Sequence, residues 1–524
     1  MNKKIAFYVL LLVILLSTSC KNNRLQIQTN ENTYWWIGVI NKGSSMPFNG
    51  LIDLEIDLNS HPDGNQVQPL LLSSTGDVIW CDNPPKITFR NGKISIDSKG
   101  NITHIKAGES LREAYEFANK NYFPPSGKTP DLRLISDPQY NTWIELMYDQ
   151  NQEEILNYAN ALIDNNYPPG VLMIDDNWQE DYGKWNFHQG RFKAPKIMMD
   201  SLHAMGFKVM LWVCPFISPD SDVHRKLDSE NLLMKDENLQ SATIHWWNGI
   251  SSVLDLTNPE AESWFYAQLD FLVTEFGVDG FKFDAGDPFY YKGLKSHKEI
   301  LPDEHTQLWG KIGLRYPLNE YRAMYKMGGQ PLVERLRDKE HRWSDLNTLI
   351  PNMLLQGVNG YVFGCPDMIG GGAFTSFLPG AIIDQELIVR SAQVHALMPM
   401  MQFSVAPWRI LDENHHNAVK KALALRMQFT NYIIRLTQNA AITNQPVVRY
   451  LEYCYPHQGF AKINDEFMLG DSVLVAPVLE KNKYTRKVKL PVGNWVYLDG
   501  KEYEGPSDIE IDAPLDVLPY FLKK

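Results

Sequence analysis

Four aspartates each follow a short segment that we interpret as a strand, three of these segments being apolar and the fourth, at 341–343, only weakly strand-like. They are Asp175, Asp284, Asp345 and Asp367, which come after the runs 171–174, 280–283, 341–343 and 361–363. Two carboxyl groups that flank one bond, one ionised and one protonated, are what glycoside hydrolysis requires. A divalent-cation site is the alternative for a cluster of carboxylates, but no histidine stands at these run ends. The pattern therefore favours acid–base and nucleophilic chemistry on a sugar.

Aromatic and basic residues accompany these aspartates along the chain. Lys282 stands two positions before Asp284, so on a strand both side chains would point to the same side, and the ammonium could hold the carboxylate ionised. Trp178, Trp212 and Trp247 are candidate platforms for sugar rings. Trp212 lies inside an apolar run, so a position in the core is the alternative for it.

The elements that would position these residues alternate between short apolar runs and helical stretches over residues 131–438. The eight runs that we interpret as strands are 132–135, 171–174, 208–213, 280–283, 331–333, 341–343, 361–363 and 398–403. Eight such units predict an α/β fold, a (β/α)8 TIM barrel, whose catalytic residues would lie at the carboxyl ends of the strands. A doubly wound open sheet is the rival, but no GxGxxG segment follows a strand, so a nucleotide crevice is not supported.

The flanking segments have a different pattern. Residues 21–130 combine short alternating runs with turn signals such as Asn91-Gly92, which predicts an N-terminal β-sandwich. Strand signals return over residues 439–524, which predicts a small C-terminal β-domain. The chain has 524 residues, 44% of them hydrophobic and 21% charged, and a net charge of −12. This composition excludes wholesale disorder and gives no support to nucleic-acid binding.

The first twenty residues have the pattern of an export signal. Two lysines precede an apolar run at 5–16, and small residues then lead to Cys20. The run is too short to span a bilayer as an ordinary helix and is typical of a secretory signal peptide. The cysteine after the small residues predicts lipidation of Cys20 and a lipid-anchored protein of the cell envelope, with plain secretion as the alternative. The remaining cysteines have no CxxC spacing, and we interpret them as buried thiols.

A series of phrases resembles glycoside hydrolase family 31. The strongest is residues 281–287 (FKFDAGD), which resembles the nucleophile segment of one branch of that family. Others follow in the order of the family: 174–178 (IDDNW), 342–345 (RWSD), 366–371 (PDMIGG) and 490–495 (LPVGNW). The resemblance covers about residues 130–524 and implies a retaining α-glycosidase that needs no cofactor and acts on an oligosaccharide or other glycoside.

The resemblance also implies residue roles. Asp284 matches the nucleophile and Asp345 the general acid/base, for which Asp338 is the rival. The remaining expected substrate-binding residues are Asp175 or its neighbour Asp176, Asp367, Lys282, the three tryptophans, and Arg335 as a charged partner near the site.

The sequence departs from the family pattern in two places. Ser344 stands directly before Asp345 where most members have glycine, and residues 402–404 (QFS) stand where most have Arg-Asn-His. The branch implies a preference for α-galactosides, whereas the wider family implies α-glucosides or α-xylosides. A catalytically inactive glycan-binding lipoprotein is the alternative from another class, and the oligomeric state is left open.

Overall fold

A computed structural model describes residues 23–61 and 65–524. The chain forms a TIM barrel with antiparallel sheets before it and a sheet-rich domain after it. The predicted signal segment and Cys20 lie outside the described residues. No helix in the described part of the chain is both long and apolar enough to cross a membrane.

The N-terminal part consists of two sheets and one helix. Its strands are β1 (Arg24–Gln28), β2 (Trp35–Val39), β3 (Leu54–Asp57), β4 (Gln66–Ser73), β5 (Asp77–Cys81), β6 (Lys86–Arg90), β7 (Lys93–Asp97) and β8 (Ile102–Lys106), followed by helix α1 (Leu111–Tyr122). One sheet has the order β1-β7-β6-β3, and the other joins β2, β4, β5 and β8. Strand β4 is buried along its whole length, which is consistent with its position against the barrel.

Eight parallel strands form the barrel. They are β9 (Gln139–Asn141), β10 (Val171–Ile174), β13 (Lys208–Val213), β17 (Gly280–Phe283), β18 (Leu318–Tyr321), β20 (Glu334–Arg335), β21 (Gly364–Cys365) and β22 (Gln402–Phe403). Their spatial order follows the chain, β22 pairs with β9, and a parallel bridge between Met368 and Gln402 joins the last two strands. The described strands therefore make a nearly closed ring.

Helices and short strands fill the connections between the barrel strands. The strands are β11 (Gln179–Asp181), β12 (Lys184–Phe187), β14 (Phe216–Ile217), β15 (Thr243–Trp246), β16 (Gly249–Val253) and β19 (Met324–Tyr325). The helices are α2 (Arg133–Ser136), α3 (Trp143–Leu146), α4 (Gln152–Asp164), α5 (Pro195–Ala204), α6 (Asp222–Ser229), α7 (Pro259–Phe271), α8 (Pro302–Gly313), α9 (Trp343–Val358), α10 (Gln385–Ala396), α11 (Pro407–Ile410) and α12 (Glu413–Thr443).

Five predicted barrel strands differ from the structure. Residues 132–135 lie mostly in α2, and the first strand comes seven residues later, at Gln139. The runs 331–333, 361–363 and 398–403 end at or just before strands of only two residues. The run 341–343 leads into α9, whereas the strand Leu318–Tyr321 was not predicted. Its sequence, LNEY, has two consecutive polar residues in the middle and so gives no apolar run.

The C-terminal part is a six-stranded antiparallel sheet. It contains β23 (Val448–Arg449), α13 (Leu451–Cys454), β24 (Phe467–Leu469), β25 (Val473–Val475), β26 (Thr485–Tyr497), β27 (Glu502–Asp512) and β28 (Tyr520–Lys523). Cys81, Cys214 and Cys365 are buried and Cys454 is partly exposed, all as free thiols. Burial raises the pKa of Cys214 well above the ordinary value, so this thiol stays protonated.

Candidate active site

A cavity of about 520 Å³ lies at the carboxyl ends of the barrel strands. Its wall combines carboxylates, cationic side chains and aromatic rings. Among the residues that line the cavity are Trp143, Tyr148, Asp175, Asp176, Trp212, Trp247, Lys282, Asp284, Asp287, Arg322, Arg337, Asp338 and Phe374. A cavity of this size that combines apolar walls with converging polar groups has the features of a small-molecule site.

Asp284 is the most firmly held carboxylate of the cavity. It follows strand β17, and its Oδ1 accepts hydrogen bonds from Arg322 Nε at 2.9 Å and from the Ala285 amide at 2.8 Å. Its Oδ2 accepts one from Trp212 Nε1 at 3.0 Å. Burial alone would raise the pKa of Asp284, but the cations Arg322, Lys282 and Arg335 lower it well below the ordinary value. Asp284 is therefore ionised at neutral pH.

Arg322 links two aspartates and was not predicted from the sequence. It follows strand β18, and its guanidinium forms a two-pronged ion pair with Asp287, with Nη1–Oδ1 at 3.2 Å and Nη2–Oδ2 at 2.5 Å, besides the bond to Asp284. Paired hydrogen bonds of this kind fix the plane of a guanidinium. The sequence offered one indication of such a cation, the second aspartate of the phrase FKFDAGD, which would need a partner. The strand before Arg322 has no apolar run and so did not point to this position.

Asp175 and Lys282 form a buried ion pair on the cavity wall. Lys282 Nζ lies 2.5 Å from Asp175 Oδ2, and both side chains are about 95% buried. Burial lowers the pKa of Lys282, but Asp175 reverses this, and the net shift is upward. Lys282 therefore pairs with Asp175, and through its charge it also helps to lower the pKa of Asp284, as expected.

Asp176 also lines the cavity, in a different environment. Its Oδ2 accepts hydrogen bonds from Asn248 Nδ2 at 2.5 Å and from Tyr182 at 3.2 Å. Burial and the charge of Asp175 raise the pKa of Asp176 to about 7. Asn248 in turn accepts a hydrogen bond from Tyr148 at 2.7 Å. Asp176 thus anchors the turn between β15 and β16, which carries Trp247.

Asp345, the predicted acid/base, lies outside this cavity. It is in the first turn of α9, where its carboxylate accepts hydrogen bonds from Arg342 Nε and from the Glu340 amide, both at 2.8 Å. The premise of the prediction, a strand at 341–343, is wrong, because this segment leads into a helix. Asp338, the rival, follows strand β20 by three residues and lines the cavity. Its side chain is 41% exposed and pairs with Arg335 at 2.6 Å.

Arg335 and Asp367 lie beneath the cavity wall and are not among the residues that line it. Arg335 is almost fully buried, and its Nη1 bonds Asp367 at 2.9 Å as well as Asp338. Asp367 also accepts the Lys339 amide at 2.8 Å. Arg335 thus lies next to the site as the expected charged partner and orients Asp338, and Asp367 orients the loop after β20. The expected contact of these two residues with substrate stays a prediction.

The three tryptophans differ in position. Trp178 is fully buried and donates to the Trp212 carbonyl at 2.8 Å, so it belongs to the core and not, as predicted, to the sugar-binding wall. Trp212 lines the cavity and bonds Asp284. Trp247 is 47% exposed and packs against the Arg322 guanidinium, 5.1 Å from the ring centroid. The sequence analysis missed Trp143 and Phe374, which contact each other on the wall.

The N-terminal sheet supports the site directly. The Gln66 carboxamide, on β4, donates to the main-chain carbonyls of Arg322 at 2.6 Å and of Arg335 at 3.0 Å. Asn65 also donates to the Arg322 carbonyl, at 3.3 Å. Strand β4 pairs with the short strand β19, which follows Arg322. Two carboxamides of the N-terminal part therefore hold the backbone of two barrel residues of the site.

Residues 402–404 lie away from the cavity lining. Gln402 is buried in the barrel, where it donates to Glu320 and to Gln139, both at 2.7 Å. Ser404 is also buried, and its hydroxyl accepts the Ile144 amide at 2.8 Å. Among the described residues no cluster of three or more histidine, cysteine or acidic side chains could hold a metal ion.

Comparison with known proteins identifies the family. The profile described as "Glycosyl hydrolases family 31 TIM-barrel domain" matches residues 138–337, and the profile of the family's C-terminal domain matches residues 444–524. The chain belongs to glycoside hydrolase family 31. The matched segments contain the cavity residues of β10, β13, β17 and β18, and the match to the first profile ends one residue before Asp338.

Individual relatives agree with this assignment. The myogenesis-regulating glycosidase of Mus musculus is 31% identical over 79% of this chain, and alpha-glucosidase 2 of Bacillus thermoamyloliquefaciens is 26% identical over 86%. The chain spans 59% and 62% of the lengths of these relatives. The family 31 dextranase of Flavobacterium johnsoniae, solved with glucose, has the same fold, with a TM-score of 0.84 at 22% identity. That match covers 96% of this chain and 66% of the dextranase.

Proposed function

We propose that this family 31 protein is a retaining, exo-acting α-glycosidase in which Asp284 is the nucleophile. The observation that carries the proposal is the environment of Asp284, an ionised carboxylate at a barrel-strand end that is held by three donors and faces a cavity. Retention requires a carboxylate that attacks the anomeric carbon and forms a covalent glycosyl-enzyme. A cavity of about 520 Å³ has room for a terminal sugar and part of its leaving group.

The hydrogen bonds of Asp284 distinguish its two oxygens. Within the described part of the chain, Oδ1 accepts hydrogen bonds from both Arg322 and the Ala285 amide, whereas Oδ2 accepts one from Trp212. Oδ2 therefore retains more lone-pair density toward the cavity, and we assign the attack to it. Arg322 and Ala285 then hold Oδ1 while the glycosyl bond forms at the other oxygen. The same donors favour the departing carboxylate when water releases the sugar.

Asp338 takes the role of general acid and base. It is the carboxylate of the wall that is most open to solvent, with a side-chain exposure of 41% against 11% for Asp284. A general acid must exchange its proton with water in each catalytic cycle, and access to solvent permits this. Asp338 would protonate the leaving-group oxygen and later activate the water that attacks the glycosyl-enzyme. Arg335 fixes its orientation.

The side of the cavity away from Asp338 would bind the sugar hydroxyls. The ion pair of Asp175 and Lys282 offers a charged acceptor and a charged donor, and Asp176 adds a carboxyl that is easily protonated. We propose a terminal α-galactose as the substrate unit. The support for it is the branch-like phrase FKFDAGD together with the lack of the usual Arg-Asn-His at 402–404. An α-glucoside or α-xyloside specificity is the competing outcome.

A panel of nitrophenyl α-glycosides of galactose, glucose and xylose tests the proposal. We expect turnover of one sugar, formation of the α-anomer first by NMR, and loss of turnover in Asp284→Asn. The matched control is Asp279→Asn, since Asp279 binds His203 and Lys208 away from the cavity lining. If a folded protein binds sugars but turns over none of them, the glycan-binding alternative replaces this proposal.

We also propose export with a lipid on Cys20. The support is the sequence of residues 1–20 alone. Metabolic labelling with a radioactive fatty acid should label the full-length protein in a bacterial host, and Cys20→Ala should remove the label. Labelling that persists in Cys20→Ala would contradict the assignment.

A further inference from the structure

A second cavity, of about 250 Å³, adjoins the catalytic one. Arg337 lines both of them. The second cavity lies between α9, the loop after β20 and the 3₁₀ turn Ile40–Ser45 of the N-terminal part. Its lining residues are Asn41, Lys42, Arg337, Lys339, Arg342, Asp345, Thr348 and Asn352.

The charge of this wall is strongly positive. Four of its side chains are cationic and one, Asp345, is anionic. That carboxylate is engaged by Arg342 at 2.8 Å, and Arg342 is also paired with Glu340 at 3.0 Å. Among the described residues, Arg337 and Lys339 form no ion pair with a carboxylate, in a chain whose net charge is −12. A local excess of cationic charge in an acidic protein attracts anions selectively.

Lys339, in the wall of the second cavity, is a buried cation without an ion pair among the described residues. It is 94% buried, yet no carboxylate in the described part of the chain lies within ion-pair distance of its ammonium group. Burial lowers the pKa of Lys339 to about 8, against the opposing effect of Asp367. A buried ammonium without a partner is costly, and a bound anion removes that cost. Lys339 is still largely protonated at pH 7.

Neutral polar groups complete the wall. Asn352 is 98% buried, and its carboxamide oxygen has no hydrogen-bond partner among the described residues. Thr348, one turn earlier on α9, carries a hydroxyl that donates to the Asp345 carbonyl at 2.8 Å and can still accept a bond. An unpartnered acceptor beside Lys339, which forms no ion pair among the described residues, suits a ligand that has both hydroxyl groups and a negative charge.

The place of the cavity in the proposed reaction identifies the ligand. Asp338, the proposed acid, protonates the leaving-group oxygen, so the leaving group must pass beside it. Arg337 and Lys339 flank Asp338 in the chain and line the second cavity. We propose that the leaving unit of the natural substrate is an anionic sugar, carrying a carboxylate or a sulfate, that Lys339 and Arg337 bind here. The assignment of this cavity to the leaving unit rests on the proposed function, but binding of an acidic sugar in the cavity can be tested separately.

The kinetic test compares three disaccharides that share one α-sugar and one linkage. Their leaving units are glucose, glucuronate and glucose 6-sulfate. We expect kcat/KM at least tenfold higher for one of the acidic leaving units, since a hydrogen bond to a charged group has about that effect. Lys339→Met should remove the preference while turnover of the neutral disaccharide stays within about twofold. Lys421→Met, which changes an exposed lysine on α12, should alter neither.

The binding test does not depend on turnover. Calorimetry with free glucuronate, glucose 6-sulfate, glucose and inorganic sulfate should show binding of an acidic sugar that weakens with ionic strength and is lost in Lys339→Met. If no α-glycoside is turned over but this binding is found, the proposed function fails and the acidic-sugar site stands. Equal kcat/KM for all three disaccharides, or binding of inorganic sulfate as tight as that of the sugars, would overturn the inference. If Lys339→Met does not fold, the salt dependence of acidic-sugar binding by the wild-type protein provides the test.

Discussion

The exchange of Asp338 and of Asp345 for asparagine separates two assignments of the general acid. Asp338 lines the catalytic cavity and Asp345 lies in the first turn of α9. Removal of a general acid costs typically 10²–10⁴-fold in rate. We therefore expect Asp338→Asn to lower kcat/KM for an alkyl or sugar leaving group by about 10³-fold. Asp345→Asn should stay within about threefold on the same neutral substrate.

The two variants should also differ in stability. Asp345 accepts the Glu340 amide and Arg342 near the positive end of a 16-residue helix. A carboxylate at that end contributes roughly 0.3–1 kcal/mol. We expect Asp345→Asn to lower the free energy of unfolding by about this amount. Asp338→Asn should lower the free energy of unfolding by less than this, since Asp338 is 41% exposed.

The choice of leaving group supplies the decisive assay. A dinitrophenyl leaving group departs without protonation, so Asp338→Asn should retain near wild-type glycosylation of the enzyme with this substrate and accumulate the glycosyl-enzyme. Added azide should then restore turnover and give an α-glycosyl azide, because azide needs no general base. The reasoning is refuted if Asp345→Asn shows this behaviour and Asp338→Asn does not.

Three further variants test single contacts. Trp212→Phe keeps an aromatic ring but removes the hydrogen-bond donor to Asp284 Oδ2. We expect kcat/KM to fall roughly 10–100-fold. The acid limb of the pH profile should move to higher pH, because the pKa of Asp284 rises when a donor to its ionised form is lost. Trp178→Phe removes a buried hydrogen bond to the Trp212 carbonyl; it should lower the free energy of unfolding by about 1–3 kcal/mol in guanidinium titrations, with KM changed less than in Trp247→Ala. Asp176→Asn tests the pH dependence of stability. The pKa of Asp176 is about 7 in the folded state, against 3.8 ordinarily. The folded protein therefore holds this proton more tightly than the unfolded chain and loses stability as pH rises through that interval. Unfolding measured at pH 5 and pH 8 should therefore differ less in Asp176→Asn than in the wild type, and an unchanged difference would contradict the assignment.

The sequence allowed part of this site to be predicted for a definite reason. Strands β10, β13 and β17 are buried on both faces and therefore read as continuous apolar runs, which places Asp175, Trp212 and Asp284 correctly at or near their ends. Strands of two residues leave no such run. The strand Glu334–Arg335 was for this reason placed too early, at 331–333, and Asp338 after it was treated only as a rival.

The prediction of a strand at 341–343 shows how one error affects a later assignment. Residues 341–343 were interpreted as a strand, but Trp343 begins a helix whose inward face is apolar from Leu346 onward. A segment of three residues does not distinguish a strand from the start of a helix. The aspartate after the run was consequently assigned to a strand end. Arg322, which contacts Asp284, was missed because two adjacent polar residues interrupt the strand before it, LNEY.

The carboxamides of Asn65 and Gln66 have a consequence for protein engineering. They hold the carbonyls of Arg322 and Arg335 across a chain separation of more than 250 residues. A chimera that joins this barrel to another N-terminal sheet must therefore supply two matching carboxamides, or the guanidinium beside Asp284 loses its alignment. Recombination that exchanges modules at residue 130 would separate these partners, so the sheet and the barrel are expected to be inherited as one unit.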